Sequence, residues 1–151
     1  MIEAPSQLPP PRNPALARAL AVATYLAAII ALWGFGTLLL SFPPRGAQLL
    51  FSAMAFAACV ATWLSLGRSG RMALWVRALV SAVLAHAGML LCVAAWYALT
   101  TGNDWSWFLA VLSFAAINPF VIAAALLSGV TVLLAAAFTR REGKKRLSSS
   151  K

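Results

Sequence analysis

The order of apolar and polar positions divides the chain into long apolar runs separated by short breaks rich in glycine, proline or charge. The first run covers about 15–40 and stops at "SFPPRG" (41–46), where Pro43 and Pro44 cannot continue a helix. The second covers about 47–66 and is followed by "GRSGR" (67–71), with Gly67 placed to act as a left-handed cap. The third covers about 72–99 and ends at "TTGND" (100–104); Arg77, near its start, is placed to snorkel toward lipid headgroups. A membrane-spanning helix needs about 20 predominantly apolar residues, and each run meets that length.

The last apolar stretch, 105–138, has 34 residues. As one straight helix it would extend ~50 Å, against a hydrocarbon core of ~30 Å. Asn118-Pro119 supplies a break, an N-cap residue followed by a proline at the first helical position. Residues 105–117 then form a short outer interfacial helix, with Asp104 available as its cap, and 119–138 form the fourth span. A single long helix kinked at Pro119 is the alternative. The predicted fold is an all-α integral membrane protein. It is an antiparallel bundle of four transmembrane helices, with the third central and a break near Asn118-Pro119. The spans occupy a membrane domain at 15–138, preceded by a proline-rich arm (1–14) and followed by a polybasic tail (139–151). The first apolar run is too long for a signal-peptide core and reads as a retained anchor.

Composition supports the bilayer as solvent. Hydrophobic residues make up 62% of the chain and charged residues 10%, with mean hydropathy +0.86. Soluble domains carry about 25% charged residues, and a soluble fold of this size could not hide so much apolar surface. The net charge of +9 does not point to nucleic acid, because the basic residues flank the apolar runs. Eleven of the twelve Lys and Arg fall on one side of the predicted membrane, with Arg45 alone on the other. The positive-inside rule then predicts that both termini are cytoplasmic. Trp105 and Trp107 fall at the outer interface, where aromatic belts sit. Nine Arg against three Lys, with abundant Ala, fit a GC-rich bacterial genome and hence a bacterial inner membrane.

The chain offers little for catalysis. Its three acids, Glu3, Asp104 and Glu142, all lie outside the predicted spans. Without a buried acid there is no Ser-His-acid triad, and no intramembrane carboxylate for ion coupling. Cys59 and Cys92 fall at different depths, ~10 Å apart along the membrane normal. A disulfide tolerates Cα separations only to about 7 Å, so they read as small packing residues. No spacing resembles a zinc site. The chain is therefore expected not to be an enzyme. The basic positions Arg140, Arg141, Lys144, Lys145 and Arg146 read as a topogenic anchor that also meets anionic lipid.

Helices in a bilayer associate through close contact of small residues. In the third span Ala78, Ser81, Ala85, Gly88, Cys92 and Ala95 recur at steps of three and four and form one small-residue seam. Ala53, Ala57 and Ala61 do so in the second span, and Ala124, Ser128, Thr131 and Ala135 in the fourth. These seams predict packing within the chain first and against other integral membrane subunits second.

His86, the only histidine, lies near mid-membrane, nine residues past Arg77. A neutral imidazole in hydrocarbon needs a partner. One reading is a hydrogen bond to a carbonyl or a Ser/Thr hydroxyl on another helix. The other is axial ligation of a tetrapyrrole metal, in haem or bacteriochlorophyll. "AVLAH" contains Ala82-x-x-x-His86, which resembles, over five residues, the Ala-x-x-x-His pattern of purple-bacterial antenna helices. That resemblance implies His86 as the bacteriochlorophyll ligand and Ala82 as the clearance for the ring. Trp96 lies on the His86 side of the span, where it could flank such a ring. A bis-histidine haem would need its second histidine from another subunit or a symmetry mate.

The leading expectation is a non-catalytic accessory or structural subunit of a larger inner-membrane complex, with no cofactor of its own. A tetrapyrrole-binding subunit of a photosynthetic or respiratory assembly is the alternative. The small membrane subunit of a multicomponent transporter is a third.

Overall fold

A computed structural model describes residues 14–40, 45–67, 73–101 and 105–149. Five helices form: α1 (Pro14–Leu40), α2 (Arg45–Gly67), α3 (Leu74–Thr101), α4 (Phe108–Ile117) and α5 (Pro119–Ser149). There are no strands among the described residues. Four helices contain stretches long and apolar enough to cross a membrane: Ala15–Gly34, Ala47–Gly67, Leu74–Thr101 and Pro119–Phe138. This makes the chain a candidate multi-pass membrane protein. The proline-rich arm (1–13), the "FPP" break and Asp104 lie outside the described residues.

The long helices form a ring in the order α1, α2, α3, α5, with α2 and α5 also touching across the diagonal. α1 and α3 occupy opposite corners and make no contact among the described residues. The third span is therefore not central, contrary to the sequence expectation. A small-residue seam permits close approach on one side only, and α3 uses that side against α2 and α5. The central pair is α2–α5, which shares buried hydroxyl contacts.

Inside and outside are inverted relative to a soluble protein. The fully buried positions are mostly small: Ala28, Ala55, Ala58, Ala85 and Ala124, with Thr24, Thr62, Ser81 and Ser128. The large apolar side chains Ile30, Leu49, Phe56, Leu91 and Leu126 point outward. Lipid tails give no hydrophobic drive for helices to associate, so contact is made where backbones can come close. α5 approaches α3 closely. A Cβ added at Gly129 would lie 2.8 Å from the Ala78 carbonyl oxygen. Where α3 meets α2, a Cβ at Gly88 would lie 3.0 Å from the Ala57 Cβ.

The α3 seam is only partly the predicted one. Ala78, Ser81 and Ala85 are buried, and Gly88 packs on Ala57. Beyond that the buried stripe shifts by one position, to Met89, Val93 and Tyr97, leaving Cys92 half-buried and Ala95 exposed. The shift follows α4, which packs on α3 and α5 and draws the stripe toward itself. The Tyr97 and Phe108 rings pack at a tilt of 60° with centroids 5.6 Å apart.

The final apolar stretch divides at the predicted place. Asn118 ends α4 in an extended conformation, φ −65° and ψ 123°, and α5 starts at Pro119. Pro119 has no N–H to give the α4 ladder. Asn118 Oδ1 accepts the Phe120 N–H at 3.0 Å, and the Asn118 N–H is donated to the Ala115 carbonyl at 3.3 Å. α4 begins later than expected, with Trp107 as its N-cap and no side-chain cap bond. Trp105 forms a turn before it, and its ring packs edge-on to Phe108 at 4.9 Å.

Two further differences lie at helix ends. Gly67 is the last residue of α2 but is not left-handed. The α2 end is capped instead by Arg77, whose Nη2 donates to the Ser65 carbonyl at 2.7 Å and the Leu66 carbonyl at 3.5 Å. The last carbonyls of a helix lack donors and carry the negative end of its dipole, so the guanidinium turns toward them. α5 continues past Phe138 to Ser149. The polybasic segment is thus a helical extension, consistent with its good helix formers and the single Gly143.

Candidate functional site

Two features concentrate the polar chemistry of the membrane domain: a buried layer of hydroxyls between four helices, and the half-buried imidazole of His86. The layer draws Thr24 from α1, Thr62 from α2, Ser81 from α3, and Ser128 and Thr131 from α5. Ser128 and Thr131, three residues apart, lie on one face of α5, which therefore reaches all three other helices.

The layer has two limbs. In the first, the Thr24 hydroxyl is shared between Thr131 Oγ1 at 2.7 Å and the Leu20 carbonyl at 3.0 Å, and Thr131 donates to the Leu127 carbonyl at 2.8 Å. In the second, Ser128 Oγ lies 2.6 Å from Ser81 Oγ and 2.8 Å from Thr62 Oγ1. Thr62 donates to the Ala58 carbonyl at 2.9 Å. A hydroxyl has one proton to donate. With the Thr62 proton committed to Ala58, Ser128 has two acceptors in reach, Thr62 Oγ1 and, at 3.4 Å, the Ser81 carbonyl, and the Ser81 and Ser128 hydroxyls share the bond between them. Such hydroxyls hold membrane helices together, at about 0.6 kcal/mol each and up to about 1.7.

No family model, curated protein or solved structure matches this chain. What can be said of function therefore comes from the geometry.

The layer holds no titratable side chain. Among the described residues no three of His, Cys, Asp and Glu come together as a metal site. Cys59 and Cys92 are free and half-buried. At one end of the bundle, Arg77 Nε and the Ser65 hydroxyl are buried without a hydrogen-bond partner.

His86 stands apart from the layer. It is half-buried on α3 and makes no hydrogen bond with any described residue. The partner expected on a neighbouring helix of the same chain is not supplied. Ala82, one turn before it, is half-buried and lies where α5 passes close at Gly129. Trp96 is half-buried toward the far end of the helix.

Sequence reasoning named Ser81, Ser128 and Thr131 only as small packing residues and missed Thr24 and Thr62. The available signal was the set of Ser and Thr inside apolar runs. Which of them meet depends on relative depth and rotation, and those come from helix packing.

Proposed function

We propose that the chain is a non-catalytic accessory or structural subunit of a larger complex in a bacterial inner membrane. The carrying observation is that the buried hydroxyls joining the four helices hydrogen-bond to one another, while the single histidine, half-buried on α3, has no hydrogen bond to any described residue. The hydroxyl layer is built for cohesion, and the imidazole that lacks a hydrogen bond is partly open to a neighbouring subunit. An antiparallel arrangement with both termini cytoplasmic fits this reading. Successive α2 positions Ala57, Thr62 and Ser65 lie near α3 positions of falling number: Gly88, Ser81 (through Ser128) and Arg77. The end where Ala17, Leu66, Leu74 and Ala135 gather is the end flanked by eleven of the twelve basic residues.

Purification from native membranes in mild detergent tests the proposal. The chain should elute within a larger assembly containing other integral membrane subunits. A homogeneous monomer with an enzymatic activity would overturn it.

The imidazole without a hydrogen bond to any described residue also supports a second reading, in which His86 ligates the metal of a haem or bacteriochlorophyll, with Ala82 giving clearance and Trp96 at the ring edge. The native assembly would then absorb in the visible or near infrared, and His86→Ala would bleach it. A colourless assembly ends that reading.

A further inference from the structure

Because α3 sits at a corner of the ring, one of its faces is left without a helix of this chain. Along the side of α3 that borders that face, Val76, Leu79, Val83, His86 and Leu90 recur at steps of three, four, three and four, with Leu90 also packed against the bundle's core. Leu79 and Val83 are 56% and 58% exposed, and Val76, His86 and Leu90 are half-buried. Alternating steps of three and four keep residues on one stripe facing a second helix at a left-handed crossing. The pattern is separate from the buried seam of Ala78, Ser81 and Ala85, which α2 and α5 already occupy.

Four of the five stripe positions are apolar and would suit lipid equally well. His86 would not, because an imidazole without a partner in hydrocarbon loses the hydrogen bonds it makes in water. A single polar residue in an otherwise apolar helix–helix seam fixes register and partner number at some cost in stability. Self-pairing satisfies this residue. A neutral imidazole carries one donor nitrogen and one acceptor nitrogen. Two copies inserted in the same orientation are related by an axis along the membrane normal. In a parallel pairing of two α3 helices each stripe residue meets its own counterpart at equal depth, so His86 meets His86.

We infer that this chain self-associates through the outward stripe of α3, with His86 hydrogen-bonded to the His86 of a second copy near the middle of the membrane. The inference goes beyond the accessory-subunit reading and names a homodimeric contact in its own right.

The test uses the full chain in lipid nanodiscs and native membranes. In a background with Cys59→Ala and Cys92→Ala, V83C should form a symmetric disulfide dimer under mild oxidation. L91C and F56C, exposed but off the stripe, should not. By energy transfer between labelled copies, His86→Leu should weaken self-association by about 3-fold to about 20-fold, and His86→Gln, which keeps a donor and an acceptor, should restore most of it. Both variants should retain the parent's thermal stability as monomers, since the side chain makes no hydrogen bond with any described residue. Equal cross-linking at all three cysteines, an unchanged association constant in His86→Leu, or a monomer whose visible chromophore is lost with His86 would each overturn the inference. A larger assembly holding one copy of the chain would overturn it while leaving the accessory-subunit reading intact.

Discussion

The hydroxyls of Ser81 on α3 and Ser128 on α5 lie 2.6 Å apart where the two helices cross. One residue further along α5, Gly129 passes the Ala78 carbonyl with no room for a methyl group. The two facts belong together. Short side chains can bond across helices only where the backbones come close, and the glycine is what lets them.

Ser128→Ala should destabilise the bundle more than any other single hydroxyl removal, by about 1–3 kcal/mol. It deprives both Ser81 and Thr62 of a hydrogen-bond partner. Ser81→Ala and Ser128→Ala should be non-additive in a double-mutant cycle. Ser65→Ala removes a buried hydroxyl that has no partner, so it should be neutral or slightly stabilising. Unfolding in detergent, followed by circular dichroism, measures all of these.

Gly129→Ala should cost about 1–3 kcal/mol, because the added methyl meets backbone rather than a movable side-chain end. Gly88→Ala meets the Ala57 methyl at 3.0 Å and should cost less. Gly67→Ala, with nothing within 4 Å, should stay within about 0.5 kcal/mol of the parent. The ranking, read from thermal melts in one detergent, tests the α3–α5 contact directly.

The break between α4 and α5 rests on two residues with different roles. Asn118→Ala leaves the Phe120 N–H without its side-chain acceptor and should cost about 1 kcal/mol. Pro119→Ala should change stability less, since the cap remains. The double variant removes both reasons for the break and should straighten the segment, seen as a longer distance between spin labels at positions 110 and 126.

Arg77→Met should loosen the end of α2 by about 1 kcal/mol, because the Ser65 and Leu66 carbonyls lose their donor. Arg77→Lys should recover part of this, since lysine keeps the charge but not the fork of donors. Faster amide exchange at residues 64–67 in Arg77→Met would check it.

Much of the fold can be read from the pattern of the chain. Twenty-residue apolar runs can satisfy their backbone in lipid only as helices, so four spanning lengths follow from hydropathy alone. The Asn118-Pro119 break follows from local chemistry: one residue lacks an N–H and its neighbour can cap. The seam residues Ala124, Ser128, Thr131 and Ala135 are all buried, as their spacing on one face implies.

The tertiary structure decided what lies across from what. Nothing in the order of residues says that α1 and α3 stay apart, that Thr62 reaches Ser128 across the diagonal, or that Arg77 turns back onto α2 rather than outward to the headgroups. These depend on the rotation and depth of each helix, fixed jointly by all the contacts, with Gly129 and Gly88 permitting close ones. His86 shows the division plainly. The sequence determined that a lone imidazole stands near mid-membrane and needs a partner. Only the packing of α3 at a corner, with its small seam turned inward, left that imidazole half-buried with no hydrogen bond to any described residue.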